Sequence, residues 1–329
     1  MKNCIFTKKN MLNVGVCGAG HLGKIHLNLL NQSKYYNLIG FYDSDLSNAK
    51  KVSESFNYKF FESFEELTLK CDVIDIVTPT IFHHKMAKLA LLNNCHIFIE
   101  KPITNTINEA KELIEISKLK GLFGQVGHVE RFNPAFTASK SHITNPMFIE
   151  THRLAEFNPR GTDVPVVLDL MIHDIDIILS LVKSPIKSVN ASGVKVISNT
   201  PDIANARIEF ENGCFANLTA SRISMKNMRK SRFFQRDAYI AIDFLDKKSE
   251  IVKMKDINAN SNENTMILEN SEGVKRELYF ENPNIENSNA ILNELNSFAK
   301  SITNKQKPIV DLNDGYLALQ TAMRIIDSY

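Results

Sequence analysis

The sequence contains no Cys-x-x-Cys pair, no uninterrupted apolar run of transmembrane length and almost no excess of charge of either sign. Its five cysteines are scattered along the chain: Cys4, Cys17, Cys71, Cys95 and Cys214. This set argues against a disulfide framework or a structural zinc site and fits a reducing compartment. The run that comes nearest to a membrane span, Ile177 to Val182, already contains Ser180. A net charge of +2 gives no reason to expect nucleic acid or a membrane as a partner.

With 329 residues, of which 43% are hydrophobic and 23% charged, the chain is typical of a globular protein of roughly two domains. Its first ten residues are polar and basic, and no apolar core of signal-peptide length follows them. We therefore expect a cytoplasmic protein. Met11 is a plausible alternative start, because the ordered pattern begins directly after it.

A glycine motif, G-x-G-x-x-G, lies where a short apolar run (Val14–Cys17) passes into a helical pattern. Gly18 would allow a tight turn, Gly20 a close approach of a pyrophosphate, and Gly23 close packing of helix and strand. The N–H groups of the helix start, at His21 and Leu22, would face the anion. A structural glycine turn would look the same, but Asp43 ends the next strand 20 residues after Gly23, where an acid binds ribose hydroxyls. These residues predict a dinucleotide site that takes NAD rather than NADP.

Strand-like and helix-like segments alternate as far as Leu122, which predicts a doubly wound parallel sheet, a Rossmann domain, over residues 1–125. Residues 126–329 are predicted to form a second α/β domain with an open, mostly antiparallel sheet. Its expected strands are Phe148–Leu154, Ile186–Val196, Ala206–Phe210, Phe215–Ala220, Tyr239–Phe244 and Lys275–Phe280. One long helix is expected over Val166–Val182 and a mobile loop over Asp256–Ser271. Helices near Ile285–Ile302 and Gly315–Ser328 close the chain, and the last could pack back on the Rossmann domain.

Two further segments directly follow predicted strands at their carboxyl ends, where open α/β sheets usually bind ligands. The first is Thr78-Pro79-Thr80 with His83, and the second is Glu100-Lys101-Pro102. Pro102 holds Lys101 in an extended conformation, from which its amine could donate to a reacting oxygen. An ordinary surface lysine before a turn is the alternative interpretation.

The segment from Asp169 to Asp176 carries a third group of polar residues. Helical spacing puts Asp169, His173 and Asp176 on one face, and the intervening positions are mostly Leu, Met and Ile. A carboxylate beside an imidazole fixes the tautomer of the ring and raises its basicity, as a general base requires. These residues could also be half of a metal site, but no nearby cysteine or H-x-x-x-H motif supports one, so no metal is expected. A partly buried polar stripe is the alternative interpretation.

Taken together, these motifs resemble the glucose–fructose oxidoreductase/inositol dehydrogenase/rhizopine (Gfo/Idh/MocA) family. The matching segments follow in the order of the family: residues 18–23, 78–83, 100–102, 127–134 and 169–176, with the two final helices. The resemblance implies that Lys101 and His173 form an acid/base pair, with Asp169 orienting His173. It also implies that Thr78, Pro79, His83 and Glu100 line the nicotinamide half of the cofactor. A homo-oligomer, a dimer or tetramer built on the second domain, is implied as well.

The substrate implied by the resemblance is a nucleotide sugar. Sugar and inositol dehydrogenases of the family often carry glycines before the D-x-x-x-H helix, whereas this chain has Asp163-Val164-Pro165 there. The nucleotide-sugar branch is closer, which implies oxidation of a secondary hydroxyl at C3 of a UDP-linked N-acetylamino sugar. Arg131, Arg153, Arg160 and Asp176 are the candidate substrate contacts. A dehydrogenase of a free polyol or sugar acid, and a non-catalytic dinucleotide sensor, are the alternatives.

A basic run offers other partners for a diphosphate. It has six cations within 15 residues and no acid: Arg222, Lys226, Arg229, Lys230, Arg232 and Arg236. A solvated hairpin or a subunit contact explains such a run equally well.

Overall fold

The computed structural model describes residues 11–158, 164–256 and 266–329. Strands and helices alternate through the first part: β1 (Leu12–Cys17), α1 (His21–Gln32), β2 (Tyr36–Tyr42), α2 (Leu46–Phe56), α3 (Phe64–Thr68), β3 (Val73–Ile76), α4 (Thr80–Leu92), β4 (His96–Glu100), α5 (Ile107–Lys120) and β5 (Gly124–Gly127). The strands pair in parallel in the order β2-β1-β3-β4-β5. The predicted doubly wound sheet is therefore confirmed. Its strand order reverses between β1 and β3, and ligands of such sheets bind at that point.

Side-chain caps mark the ends of helices that flank this sheet, including helices without a clear apolar periodicity. In α5, Thr106 and Glu109 form a reciprocal capping box, and Gly121 ends the helix with a φ of +64°. In α2, the Asp45 carboxylate accepts hydrogen bonds from the Ser47 and Asn48 N–H groups. The elements α2, α3 and β5 were not predicted, because α2 and α3 are short and largely polar and β5 contains two glycines.

The second part consists mainly of strands: α6 (Pro134–Ser139), β6 (Phe148–Leu154), a π-helical segment (Val167–Met171), α7 (Ile172–Leu181), β7 (Ile186–Val194), β8 (Ile203–Phe210), β9 (Phe215–Ser221), β10 (Met228–Phe234), β11 (Ala238–Asp243), β12 (Lys248–Asp256), β13 (Met266–Glu269) and β14 (Lys275–Glu281). Their order in the sheet is β13-β14-β12-β11-β10-β6-β9-β8-β7. Among the described strands of this second sheet, only β6 and β9 pair in parallel. The predicted open, mostly antiparallel sheet is confirmed.

Three strands of this sheet differ from the sequence-based prediction. No strand is predicted within the basic run, but Met228–Phe234 forms β10 in the middle of the sheet, where it makes an antiparallel hairpin with β11. The predicted loop Asp256–Ser271 contains β13, and residues 257–265 of it lie outside the described residues. β12 was not predicted at all, because it carries charged residues on both faces.

Two helices close the chain, α8 (Ala290–Thr303) and α9 (Leu312–Ile326). The chain divides into two compact units, one of residues up to Val129 with Asn289–Gln320, the other of Glu130–Ser288 with Thr321–Tyr329. In the first unit α8 packs on the parallel sheet, where Phe298 lies 6.2 Å from Phe98 between ring centroids. No helix in the described ranges is long and apolar enough to cross a membrane.

Candidate active site

The glycine loop has the geometry that a dinucleotide requires. Gly18 has a φ of +100°, and a Cβ there would lie 2.8 Å from the carbonyl oxygen of Val77. A Cβ on Gly23 would collide with the carbonyl oxygen of Gly18. A Cβ on Gly20 would meet no protein atom within 4 Å, so protein packing does not demand a glycine at this position. Close approach of a pyrophosphate to the backbone does demand one. The loop thus fits the cofactor implied by its sequence.

Asp43, at the end of β2, is fixed against this loop. Its Oδ2 accepts hydrogen bonds from the Ala19 N–H at 2.8 Å and from the Asn48 side chain at 3.0 Å. Its Oδ1 accepts one from the Asp45 N–H at 2.9 Å. The carboxylate lines a cleft of about 410 Å³ together with Gly18, Gly20, Thr78, Pro79 and Lys85. The cleft lies at the switch point between β1 and β3.

His83 ties two loops of the first unit together. It is 1% exposed, and its ring nitrogens lie 2.8 Å from the carbonyl oxygens of Thr78 and Pro102. Burial, aided by the charge of Lys101, lowers the pKa of His83, although the hydrogen bonds to the backbone oppose this shift. The side chain therefore holds the segments that carry Thr78 and Lys101 in place. Contact of His83 with a cofactor stays a prediction.

Lys101 follows β4 directly, and Glu100 in front of it belongs to a buried polar cluster that was not predicted from the sequence. The Lys101 N–H donates to Glu100 Oε2 at 3.1 Å. His26 of α1 lies 3.5 Å from Glu100 Oε1 through Nε2 and 2.8 Å from Asp75 Oδ2 through Nδ1. A single acidic residue inside an otherwise apolar strand, Asp75 in β3, was the available signal in the sequence.

In the second unit, Asp169 and His173 lie on either side of the point where a π-helical segment passes into an α-helix. The predicted single helix consists of a π-helical segment that contains Asp169, followed by α7, where His173 is the second residue. Both side chains are half-buried. Such π-helical turns occur frequently at functional sites. Among the described residues, no group of three or more His, Cys, Asp and Glu is arranged to hold a metal ion.

The buried arginines of the second unit pair with carboxylates of α7. Arg131 binds Asp176 through two hydrogen bonds of 2.6 and 2.9 Å. Arg153 binds Asp174 through two bonds of 3.0 Å and donates to Glu130 at 2.9 Å. These pairs explain the burial of Arg131, Arg153 and Asp176 without a substrate. Contact of these residues with substrate stays a prediction, and Arg160 lies outside the described residues.

The basic run does not form one surface. Arg222 is buried and donates to the carbonyl oxygen of Val164. In β10, alternation along the strand places Lys230 and Arg232 on one face and Arg229 on the other. Lys230 pairs with Asp243 at 3.1 Å, and Arg232 pairs with Glu150 at 2.9 Å. The period of the strand therefore separates charges that are clustered in the sequence.

Family models match both parts of the chain. Residues 12–128 match the model described as an oxidoreductase family with an NAD-binding Rossmann fold, and residues 108–236 match the GFO/IDH/MocA C-terminal domain. The chain belongs to the Gfo/Idh/MocA oxidoreductase family, so the resemblance seen in the sequence is confirmed. It is an oxidoreductase with a nicotinamide dinucleotide cofactor.

Individual relatives extend this similarity. The chain is 35% identical over 236 residues to UDP-N-acetylglucosamine 3-dehydrogenase of Acidithiobacillus ferrooxidans. The aligned region covers 71% of this chain and 75% of the relative. The chain is 29% identical over 238 residues to scyllo-inositol 2-dehydrogenase (NAD(+)) of Bacillus subtilis, covering 66% and 69%. The solved structure of the Acidithiobacillus ferrooxidans enzyme, GnnA, superposes with a TM-score of 0.86, 29% identity and 97% coverage of both chains.

Proposed function

We propose that this oxidoreductase uses NAD to oxidise a secondary hydroxyl at C3 of a UDP-linked N-acetylamino sugar. The observation that carries the proposal is the similarity to UDP-N-acetylglucosamine 3-dehydrogenase over nearly the full length of both chains. Lys101 and the Asp169/His173 pair support it, since a protein that only senses a dinucleotide has no use for them.

The cofactor is held by residues of the first unit. The backbone around Gly18 and Gly20 receives the pyrophosphate, and Asp43 accepts hydrogen bonds from the adenosine ribose. Thr78 and Pro79 line the same cleft. When bound, the nicotinamide supplies the acceptor for the hydride that leaves the substrate carbon.

The proton of the substrate hydroxyl is removed by His173. Asp169, four residues earlier, keeps the ring in the required tautomer and stabilises the imidazolium that forms. Lys101 donates a hydrogen bond to the reacting oxygen. The substrate becomes a ketone: its carbon gives a hydride to NAD, and its hydroxyl gives a proton to His173.

The substrate is tested by incubating the purified chain with NAD and following NADH by its absorbance. We expect turnover with UDP-N-acetylglucosamine and little with free N-acetylglucosamine, scyllo-inositol or gluconate. Turnover of a free polyol or sugar acid alone would replace the proposed substrate by the simpler one. Tight NADH binding without turnover of any compound would identify a sensor.

Asp43 is expected to decide between NAD and NADP, because its carboxylate attracts ribose hydroxyls and repels a 2′-phosphate. Asp43→Ala should weaken NAD binding by about 1.5–3 kcal/mol, roughly 10- to 150-fold in Kd. The affinity for NADP should fall far less. The Kd for NADP divided by the Kd for NAD, both from calorimetric titration, should therefore decrease. Asp45→Ala is the matched control, since Asp45 caps α2. An unchanged ratio in Asp43→Ala would show that another residue selects the cofactor.

A further inference from the structure

The side chain of His26 connects three elements of the first unit in the interior of the protein. It projects from α1, and neither His26 nor Asp75 is more than 1% exposed. Nδ1 lies 2.8 Å from Asp75 Oδ2 on β3, and Nε2 lies 3.5 Å from Glu100 Oε1 on β4. The ring also meets Phe98 edge to face at 5.9 Å. One imidazole thus lies between two carboxylates.

Glu100 is restrained from its other sides as well. Its Oε2 accepts the hydrogen bond from the Lys101 N–H at 3.1 Å, while its Oε1 faces His26. A Cβ on Gly127 would lie 2.6 Å from Oε1, so only glycine on β5 leaves room for this carboxylate. The position of the Glu100 carboxylate is therefore fixed by α1, by β5 and by the backbone of Lys101.

The charges of the cluster favour an imidazolium at His26. Burial opposes a charge on the ring, but the Asp75 and Glu100 carboxylates outweigh it and raise the pKa of His26. Burial also raises the pKa of Glu100, and His26 and Lys101 oppose that rise. The other titratable groups near Asp75 are Cys17 and Tyr36, whose pKa values are raised by burial and by Asp75, so both stay neutral.

A purely structural role would not require these residues. Buried ionic clusters contribute little to stability relative to well-packed apolar side chains of similar size. The cluster ends at the residue before Lys101, at the carboxyl edge of the sheet where the cofactor cleft lies. We propose that His26 is a positioning residue for hydride transfer: with Asp75 it holds the Glu100 carboxylate, and through it the backbone of Lys101, in place. This inference rests on the proposed function of Lys101.

Two variants of His26 separate its two contacts. His26→Asn retains a donor at the position of Nδ1, facing Asp75, and removes the group that faces Glu100. His26→Gln retains a donor at the position of Nε2. We expect kcat of His26→Asn to fall by about 10- to 100-fold with the substrate KM nearly unchanged, because small misplacements near the reacting atoms cost up to that much. His26→Gln should recover most of the rate.

His96→Asn is the matched control. His96 lies at the other end of β4, where its Nδ1 accepts a hydrogen bond from the Phe123 N–H at 2.9 Å. His96→Asn removes a half-buried imidazole from the strand that carries Glu100, but it should keep the wild-type kcat. A kcat loss in His96→Asn equal to that in His26→Asn would reduce the effect to general destabilisation and overturn the inference.

A measurement without turnover completes the test. The ring nitrogens of ¹⁵N-labelled histidine are followed by NMR through a pH titration, with His26 assigned by the signal missing from His26→Gln. In Glu100→Gln, the titration of His26 should move down by about one pH unit or more, since a neighbouring carboxylate is lost.

The two possible failures are distinguishable. A wild-type chain that oxidises none of the sugars overturns the proposed function. A His26 titration that Glu100→Gln leaves unchanged, or a wild-type kcat in His26→Asn, overturns the positioning role.

Discussion

His173→Ala should lower kcat by about 10²- to 10⁴-fold, the usual contribution of a general base. Its affinity for NAD should stay close to that of the wild type, because the glycine loop and Asp43 belong to the other unit. The fold should persist as well, since His173 is only half-buried near the start of α7, and the buried aspartates that follow it hold the helix. Steady-state kinetics with the sugar substrate and calorimetric titration with NAD separate the two effects.

Asp169→Asn should cost less than His173→Ala, because the amide keeps the shape of the carboxylate but cannot stabilise the imidazolium. If the two residues act as a unit, the double variant should be little slower than His173→Ala alone. His142→Ala is the matched control, since His142 is a partly exposed histidine of the same unit paired with Glu281 at 3.3 Å. Full activity in His173→Ala would leave Lys101 as the sole acid/base. Multiplied losses in the double variant would mean that Asp169 contacts the substrate instead.

The sheet of the first unit could be predicted because its signals are local. The glycines at 18, 20 and 23 mark a strand-to-helix turn, and Asp43 follows at the distance that the next strand requires. Each short apolar run then became a strand of the parallel sheet. The weaker elements, such as α2, form through caps like Asp45 and bury only Ala49 and Val52, so periodicity gave no sign of them.

The polar interior could not be predicted, because its partners are far apart in the chain. His26 and Asp75 are separated by 49 residues, and Arg153 and Asp174 by 21. Only the strand order and the packing of the helices bring them together. For the same reason the sequence does not reveal that Arg153 pairs with Asp174 in the interior. The central strand β10 was not predicted either, because it carries several charged residues, although its Ser231 and Phe233 are buried.

Arg153 is expected to have the largest effect on stability, because its side chain is 3% exposed and neutralises two buried carboxylates, Asp174 and Glu130. Arg153→Met keeps the apolar stem but leaves both carboxylates without this cation, and the free energy of unfolding should fall by about 3–5 kcal/mol. Arg232→Met is the matched control on the neighbouring strand. Its ion pair with Glu150 is about one-third exposed on both sides, so its loss should cost about 0–1 kcal/mol. Urea denaturation of both variants measures the difference.

The pH dependence identifies the cause of that loss. Burial raises the pKa of the Asp174 carboxyl, and Arg153 opposes the rise through its charge and its hydrogen bonds. Without the arginine, the pKa in the folded variant should lie further above that in the unfolded chain. A carboxyl shifted in this direction destabilises the fold fully above its folded-state pKa and not at all below its unfolded-state pKa. The deficit of Arg153→Met should therefore shrink as the pH falls from 8 towards about 4, where carboxyls of unfolded chains titrate. A deficit that does not change with pH would mean that lost packing, and not the unpaired charge, destabilises the variant.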